Sequence, residues 1–300
     1  MTCKQVDFTN PIDFLNYFLG WNNKLSGFVF RGVGDENWKL IPSALRNEER
    51  EKFIKMTEST PINRGGHDLE FNQIQREYFI LKKFYKLADR QGLRVPHSAF
   101  LRRTLIADLD ISVTAFLDNN QYWLPEEFHD IAGLAQHYGI PTRLLDWTYD
   151  PFVALHFALK KAIDREGRLC IWCMNKTIMT SPFFKLSKHG IKFITPPYFD
   201  NPNLNAQQGL FTHIPIKAVM PQEDQEGTQV DRRALNEIIE DELPVEHGHD
   251  CIFIKVTLPC SMAKQAYLLL AEHGYGSAKM FPGYDGIVRQ LKEDDALKIV

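Results

Sequence analysis

The sequence predicts an α+β fold, with mixed or antiparallel small sheets and a helical insert, on three observations. Strand-like runs and amphipathic helices are interleaved without a regular strand-helix-strand alternation. A block of helical periodicity over about residues 69–137 separates the first strong strand from a polar, motif-dense segment. No repeat is visible, so all 300 residues read as a single domain containing that insert.

Element by element, Asn10 caps a helix over 11–20, with Pro11 at its first position and Ile12, Leu15, Phe18 and Leu19 on one face. Phe28-Val29-Phe30 reads as a strand. Residues 46–68 lose apolar content and gather Pro61 and Gly65-Gly66, as in an exposed connection. From Leu69 to Ala88 the residues Phe71, Ile74, Tyr78, Leu81, Tyr85 and Ala88 form one stripe on a long helix. Further helices are predicted over 98–117, capped by Ser98, and over 126–137. Asp150-Pro151 pairs an N-cap with a first-position proline for the next helix. Strands follow over 168–174 and 250–258, and a helix over 261–273 ends at Gly274.

A net charge of −3 and the lack of any Lys/Arg-rich run argue against a protein that holds nucleic acid mainly by neutralising phosphates. Five cysteines, an odd number with no leader-like N-terminus, fit a reducing, cytoplasmic setting. No apolar run approaches the roughly 18 residues of a membrane span, so no membrane partner is expected. Cys170-Ile171-Trp172-Cys173 falls in a predicted strand, which sends the two thiols to opposite faces, and no metal site is assigned. Glu240-Asp241-Glu242 lies on helical periodicity and reads as a solvated helix face; His247-Gly248-His249 reads as a surface loop.

Chemistry concentrates in Gln136-His137-Tyr138-Gly139-Ile140-Pro141-Thr142-Arg143-Leu144-Leu145-Asp146-Trp147-Thr148, which runs into a helix containing Ala154-Leu155-His156-Phe157-Ala158. Three other pieces stand out: Phe30-Arg31-Gly32, Gln207-Gln208-Gly209-Leu210-Phe211-Thr212 and Phe281-Pro282-Gly283-Tyr284-Asp285-Gly286-Ile287. In order and spread these four pieces resemble the FRG domain family, named for its (Phe/Tyr)-Arg-Gly signature. One departure is that Asn203, Leu204 and Asn205 stand where the family commonly has an Arg.

A more distant resemblance is to ADP-ribosyltransferases, with Phe30-Arg31-Gly32 similar to their first strand, Asp146-Trp147-Thr148 plus the Ala154–Ala158 helix to their second motif, and Gln207–Phe211 to their third. No Glu occupies the aligned catalytic place. That resemblance implies a transferase-like core, NAD as substrate, and ADP-ribosyl transfer or NAD glycohydrolysis in a toxin or phage-defence effector, with a protein or nucleic acid as acceptor. It also implies roles. Arg31 and Gly32 would hold the pyrophosphate, Asp146 would sit near the ribose hydroxyls with Gln208 orienting one, and His137 would act as general base. Thr148 would bond Arg31, Trp147 or Tyr138 would stack on nicotinamide, and Thr142 and Arg143 would complete the cleft. Two rival readings stay open: a metal-dependent nuclease using Asp146, His137 and Asp285, and a non-enzymatic nucleotide-binding or regulatory module in which Arg31, Arg143 and Asp146 form structural ion pairs.

Overall fold

In a computed structural model of the chain, residues 3–20, 24–57, 68–106, 122–182, 184, 190–219, 227–243 and 251–297 are described. Parts of the predicted 46–68 connection and 98–117 helix, and the whole of His247-Gly248-His249, lie outside them.

Among the described residues the fold is mixed α and β, built on one seven-stranded sheet larger than the small sheets expected. Its strands are β1 (Cys3–Asp7), β2 (Phe28–Val33), β4 (Leu145–Thr148), β5 (Arg168–Asn175), β6 (Lys192–Ile194), β7 (Gly209–His213) and β9 (Phe253–Pro259). They run in the order β1-β9-β5-β2-β4-β7-β6, and only the β1–β9 pair is parallel. A two-stranded ribbon pairs β3 (Tyr122–Trp123) with β8 (Ile216–Lys217).

Strand alternation divides the core. Phe30, Ile171, Cys173, Ile254 and Val256 face the helices Pro11–Tyr17, Pro151–Ala162 and Ala263–Glu272. Val29, Val33, Cys170, Trp172, Leu145 and Trp147 face the other way, onto Leu40 and the helix Leu235–Glu242. The thiols of Cys170 and Cys173 thus fall in different core clusters, as strand alternation requires. Glu240 and Asp241 lie on an exposed face of the last helix named, but Glu242 is buried, a correction to the solvated reading.

Local signals at helix starts act as read. The Asn10 side chain accepts from the Ile12 amide at 2.8 Å and Asp150 from the Phe152 amide at 2.8 Å. A further helix, Arg50–Thr57, occupies ground expected to be an exposed connection, with Phe53 in the core. The insert is a helical lobe with its own apolar cluster, formed by Glu70–Arg90, the turns through Ile106 and His129–His137. Every residue of the predicted Phe71-to-Ala88 stripe is buried there. No helix among the described residues is long and apolar enough to cross a membrane.

Candidate functional site

The sheet is fastened unequally on the two sides of β2. Toward β5 it pairs along six positions, from Phe28 with Asn175 to Val33 with Cys170. Toward β4 the register holds only Phe30 with Thr148. Past that point the register stops, and the Asp146 carbonyl accepts from Arg31 Nη1 at 2.8 Å, with the same nitrogen 2.5 Å from Asp146 Oδ1. The guanidinium continues the sheet where the ladder stops.

A cleft of about 410 Å³ opens over this junction, in the range of about 300–1,000 Å³ usual for small-molecule sites. All four sequence pieces contribute to it: Arg31 and Gly32; Gln136, His137 and Asp146 to Thr148; Gln207 with Gly209 and Phe211; and Phe281. Arg31 is 12% exposed, whereas the Asp146 side chain is 61% exposed, so the carboxylate is recessed among protein atoms yet open to solvent. Burial raises the Asp146 pKa, the adjoining Arg31 more than offsets this, and the net is a carboxyl below its ordinary range. Asp146 is the only carboxylate lining the cleft among the described residues.

Glycine makes the close layering possible. A Cβ on Gly32 would overlap the Ala154 carbonyl oxygen, so the helix Pro151–Ala162 can lie directly on β2 only without one. Gly32 therefore serves helix-on-strand contact, where the sequence suggested approach to a pyrophosphate. Gln136, at the end of His129–His137, donates to Asp146 Oδ1 at 3.3 Å and accepts from Thr142 Oγ1. Thr142 in turn accepts at Oγ1 from the Leu144 amide at 3.2 Å, which braces the turn into β4. His137 lines the cleft with Nε2 2.6 Å from Asn203 Nδ2, and burial lowers its pKa.

Several candidates are placed elsewhere or do other work. Arg143 points into the helical lobe: its Nε donates to Glu77 at 2.6 Å and its Nη2 to Glu70 at 2.5 Å, with all three side chains buried, and it pairs with neither Asp146 nor the cleft. Tyr138, 69% exposed, lies outside the cleft lining, as does Thr142, whose hydroxyl is spent on Gln136. The Trp147 ring belongs to the core on the opposite sheet face and donates to Thr212 Oγ1 at 2.9 Å, so it cannot stack on a guest. Thr148 bonds not Arg31 but the Gln207 carbonyl, at 2.6 Å. Gln208, at φ +43°, is exposed, and its neighbour Gln207 takes the cleft position, donating to the Met280 carbonyl at 3.0 Å. Asp285 does not line the cleft, and no group of three or more His, Cys, Asp or Glu suited to a metal occurs among the described residues.

Sequence reasoning missed Lys161 and the aromatic walls Phe157 and Phe281, whose rings meet edge to face at 6.2 Å. Phe157 and Phe281 belonged to quoted motif pieces, a usable signal; Lys161 carried none, being one polar residue near a helix end.

Residues 26–167 match the family model of the FRG domain, which supports the FRG family for this chain. The match takes in Arg31, Asp146 and Lys161. No curated protein and no solved structure matches the chain.

Proposed function

With the FRG domain as the frame of the cleft, we propose that the protein binds NAD or a chemically related nucleotide there and cleaves it, as an ADP-ribosyltransferase or NAD glycohydrolase acting in the cytoplasm as a toxin or phage-defence effector. The observation that carries this reading is the meeting of Arg31 and Asp146, 115 positions apart, at one cleft lined by Phe157 and Phe281. Aromatic walls suit a flat base or a nicotinamide ring, and a single ionised carboxylate suits a ribose on its way to a cation.

The chemistry asked of these residues is modest in number of parts. As the bond from ribose C1′ to nicotinamide breaks, its electron pair passes to the pyridinium nitrogen and nicotinamide leaves neutral. Positive charge then develops on the ribose, as in glycoside cleavage, and Asp146, held ionised by Arg31, stabilises it. Water or an acceptor hydroxyl attacks C1′. His137, kept neutral by burial, accepts the proton released once its Nε2 parts from Asn203. Gln136 keeps the Asp146 carboxylate in place throughout.

Isothermal titration with NAD tests the first step. Wild type is expected to bind and release nicotinamide, Asp146→Asn to bind without releasing it, and Arg31→Ala, which unpins the Asp146 carboxylate, to release it about tenfold or more slowly. No heat for wild type at millimolar NAD would remove this reading.

A further inference from the structure

The cleft holds more positive charge than its one carboxylate answers. Arg31 gives its Nη1 to Asp146 twice, to the carbonyl and to the carboxylate, and its Nε is buried with no hydrogen-bond partner. It is thereby committed to the protein. Lys161 lines the same cleft from the last turn of the helix Pro151–Ala162, exposed to solvent, and among the described residues it makes no hydrogen bond and no ion pair. Arg46, outside the cleft lining, acts electrostatically on Arg31, Asp146 and Lys161; its side chain donates Nε to the Ile41 carbonyl at 2.9 Å, and Glu48 and Glu49 act on it as well.

The position of Lys161 is built into the strand. A Cβ on Gly34 would come within 2.6 Å of Lys161 Cβ and 2.9 Å of its carbonyl, so the second glycine of Arg31-Gly32-Val33-Gly34 lets the helix's last turn descend onto the end of β2. Gly32 does the same three residues after the helix begins, at Ala154. Together they set an ammonium beside the Arg31–Asp146 pair. Two cations, Arg31 and Lys161, then line a cleft with one carboxylate, in a chain whose overall charge is −3. Such a local excess persists where an anion, absent from the protein itself, supplies the balance.

We propose that Lys161 is the anion-binding residue of the cleft and takes a diphosphate group of the ligand, while Arg31 serves to hold Asp146. Lysine suits the task as a point charge that needs no fixed bidentate geometry. The crowding of Lys161 by protein, then by Arg31, lowers its pKa, and an arriving anion relieves that repulsion. This deepens the nucleotide reading by moving the phosphate contact from Arg31 to Lys161. The anion site itself does not depend on what base the ligand carries.

Inorganic pyrophosphate is the probe, titrated into the full chain at low and at moderate salt, with NAD as competitor. Wild type is expected to bind pyrophosphate, less well as salt rises. Lys161→Met should weaken binding about tenfold or more, the size of one charge-assisted contact, and Lys161→Arg should restore most of it. Asp146→Asn should strengthen it, since the competing negative charge is gone. Absence of pyrophosphate binding in wild type, equal binding by Lys161→Met of unchanged circular dichroism, or weaker binding by Asp146→Asn each overturns the proposal. Pyrophosphate binding that NAD fails to displace would keep the anion site and remove the NAD reading. NAD binding indifferent to Lys161→Met would do the reverse.

Discussion

Gly32 shows how one missing methyl group can set the geometry of a whole site. The obstacle to a Cβ there is the Ala154 carbonyl oxygen, a backbone atom that cannot rotate away. Gly32→Ala must therefore push the helix Pro151–Ala162 off β2, and that helix carries Phe157 and Lys161 into the cleft. Overpacking of this kind costs about 1–3 kcal/mol, and an immovable neighbour puts it at the upper end. Urea unfolding of Gly32→Ala should show that loss together with weakened ligand binding. A stability change below about 0.5 kcal/mol, the scatter of harmless surface substitutions, would contradict the packing role. Asp146 carries a separate lesson: it was legible as the one carboxylate of its motif, whereas its bond to Arg31 depended on where the β2–β4 ladder ends.

Between elements, Arg143 joins the turn into β4 to the long helix Glu70–Arg90. One guanidinium is shared by two buried carboxylates, and Trp123 Nε1 donates to Glu77 at 2.5 Å as well. Burial raises the Glu70 pKa, Arg143 lowers it and the second carboxylate, Glu77, raises it again, with a net above the ordinary value. Arg143→Met should destabilise the protein by about 3–5 kcal/mol, since it strands buried charge. Adding Glu70→Gln and Glu77→Gln should recover part of the loss in the same denaturation assay. A single variant as stable as wild type would show that the triad bears no load. The long helix was readable from its apolar stripe, but its opposite side is buried too, through Asn72, Gln73, Gln75 and Arg76, and no periodicity announces a polar face that is covered.

Across the whole molecule, the two layers of the core enclose histidines that must stay neutral. His156, fully buried, has its Nδ1 3.0 Å from the Tyr275 carbonyl, and burial drives its pKa down to about 4; burial likewise takes His213 well below the ordinary value. Above pH 6.5, the ordinary histidine value, neither folded nor unfolded His156 binds a proton, so it contributes nothing to pH dependence. As pH falls from 6.5 toward 4 only the unfolded ring takes up a proton, and stability declines by up to about 1.4 kcal/mol per pH unit for each such group. The urea midpoint should therefore drop between pH 7 and pH 5, less steeply in His156→Gln. Identical slopes for variant and wild type would show that this histidine does not govern the acid response.

Helix starts at Asn10 and Asp150, the stripe from Phe71 to Ala88, the strands around Phe30, Cys170 and Ile254, and the mixed α and β class were all determined by the sequence alone, because capping and periodicity act over a few neighbouring residues. Which polar residues of the dense segment face the cleft was decided only by the tertiary structure. In a strand the choice between Asp146, which opens to solvent, and Trp147, which enters the core, depends on which layer each sheet face meets. The Arg143 side chain goes to Glu70 and Glu77, and Lys161 comes to rest beside Arg31, for a like reason: those partners lie 66 to 130 positions away, and only packing brings them together.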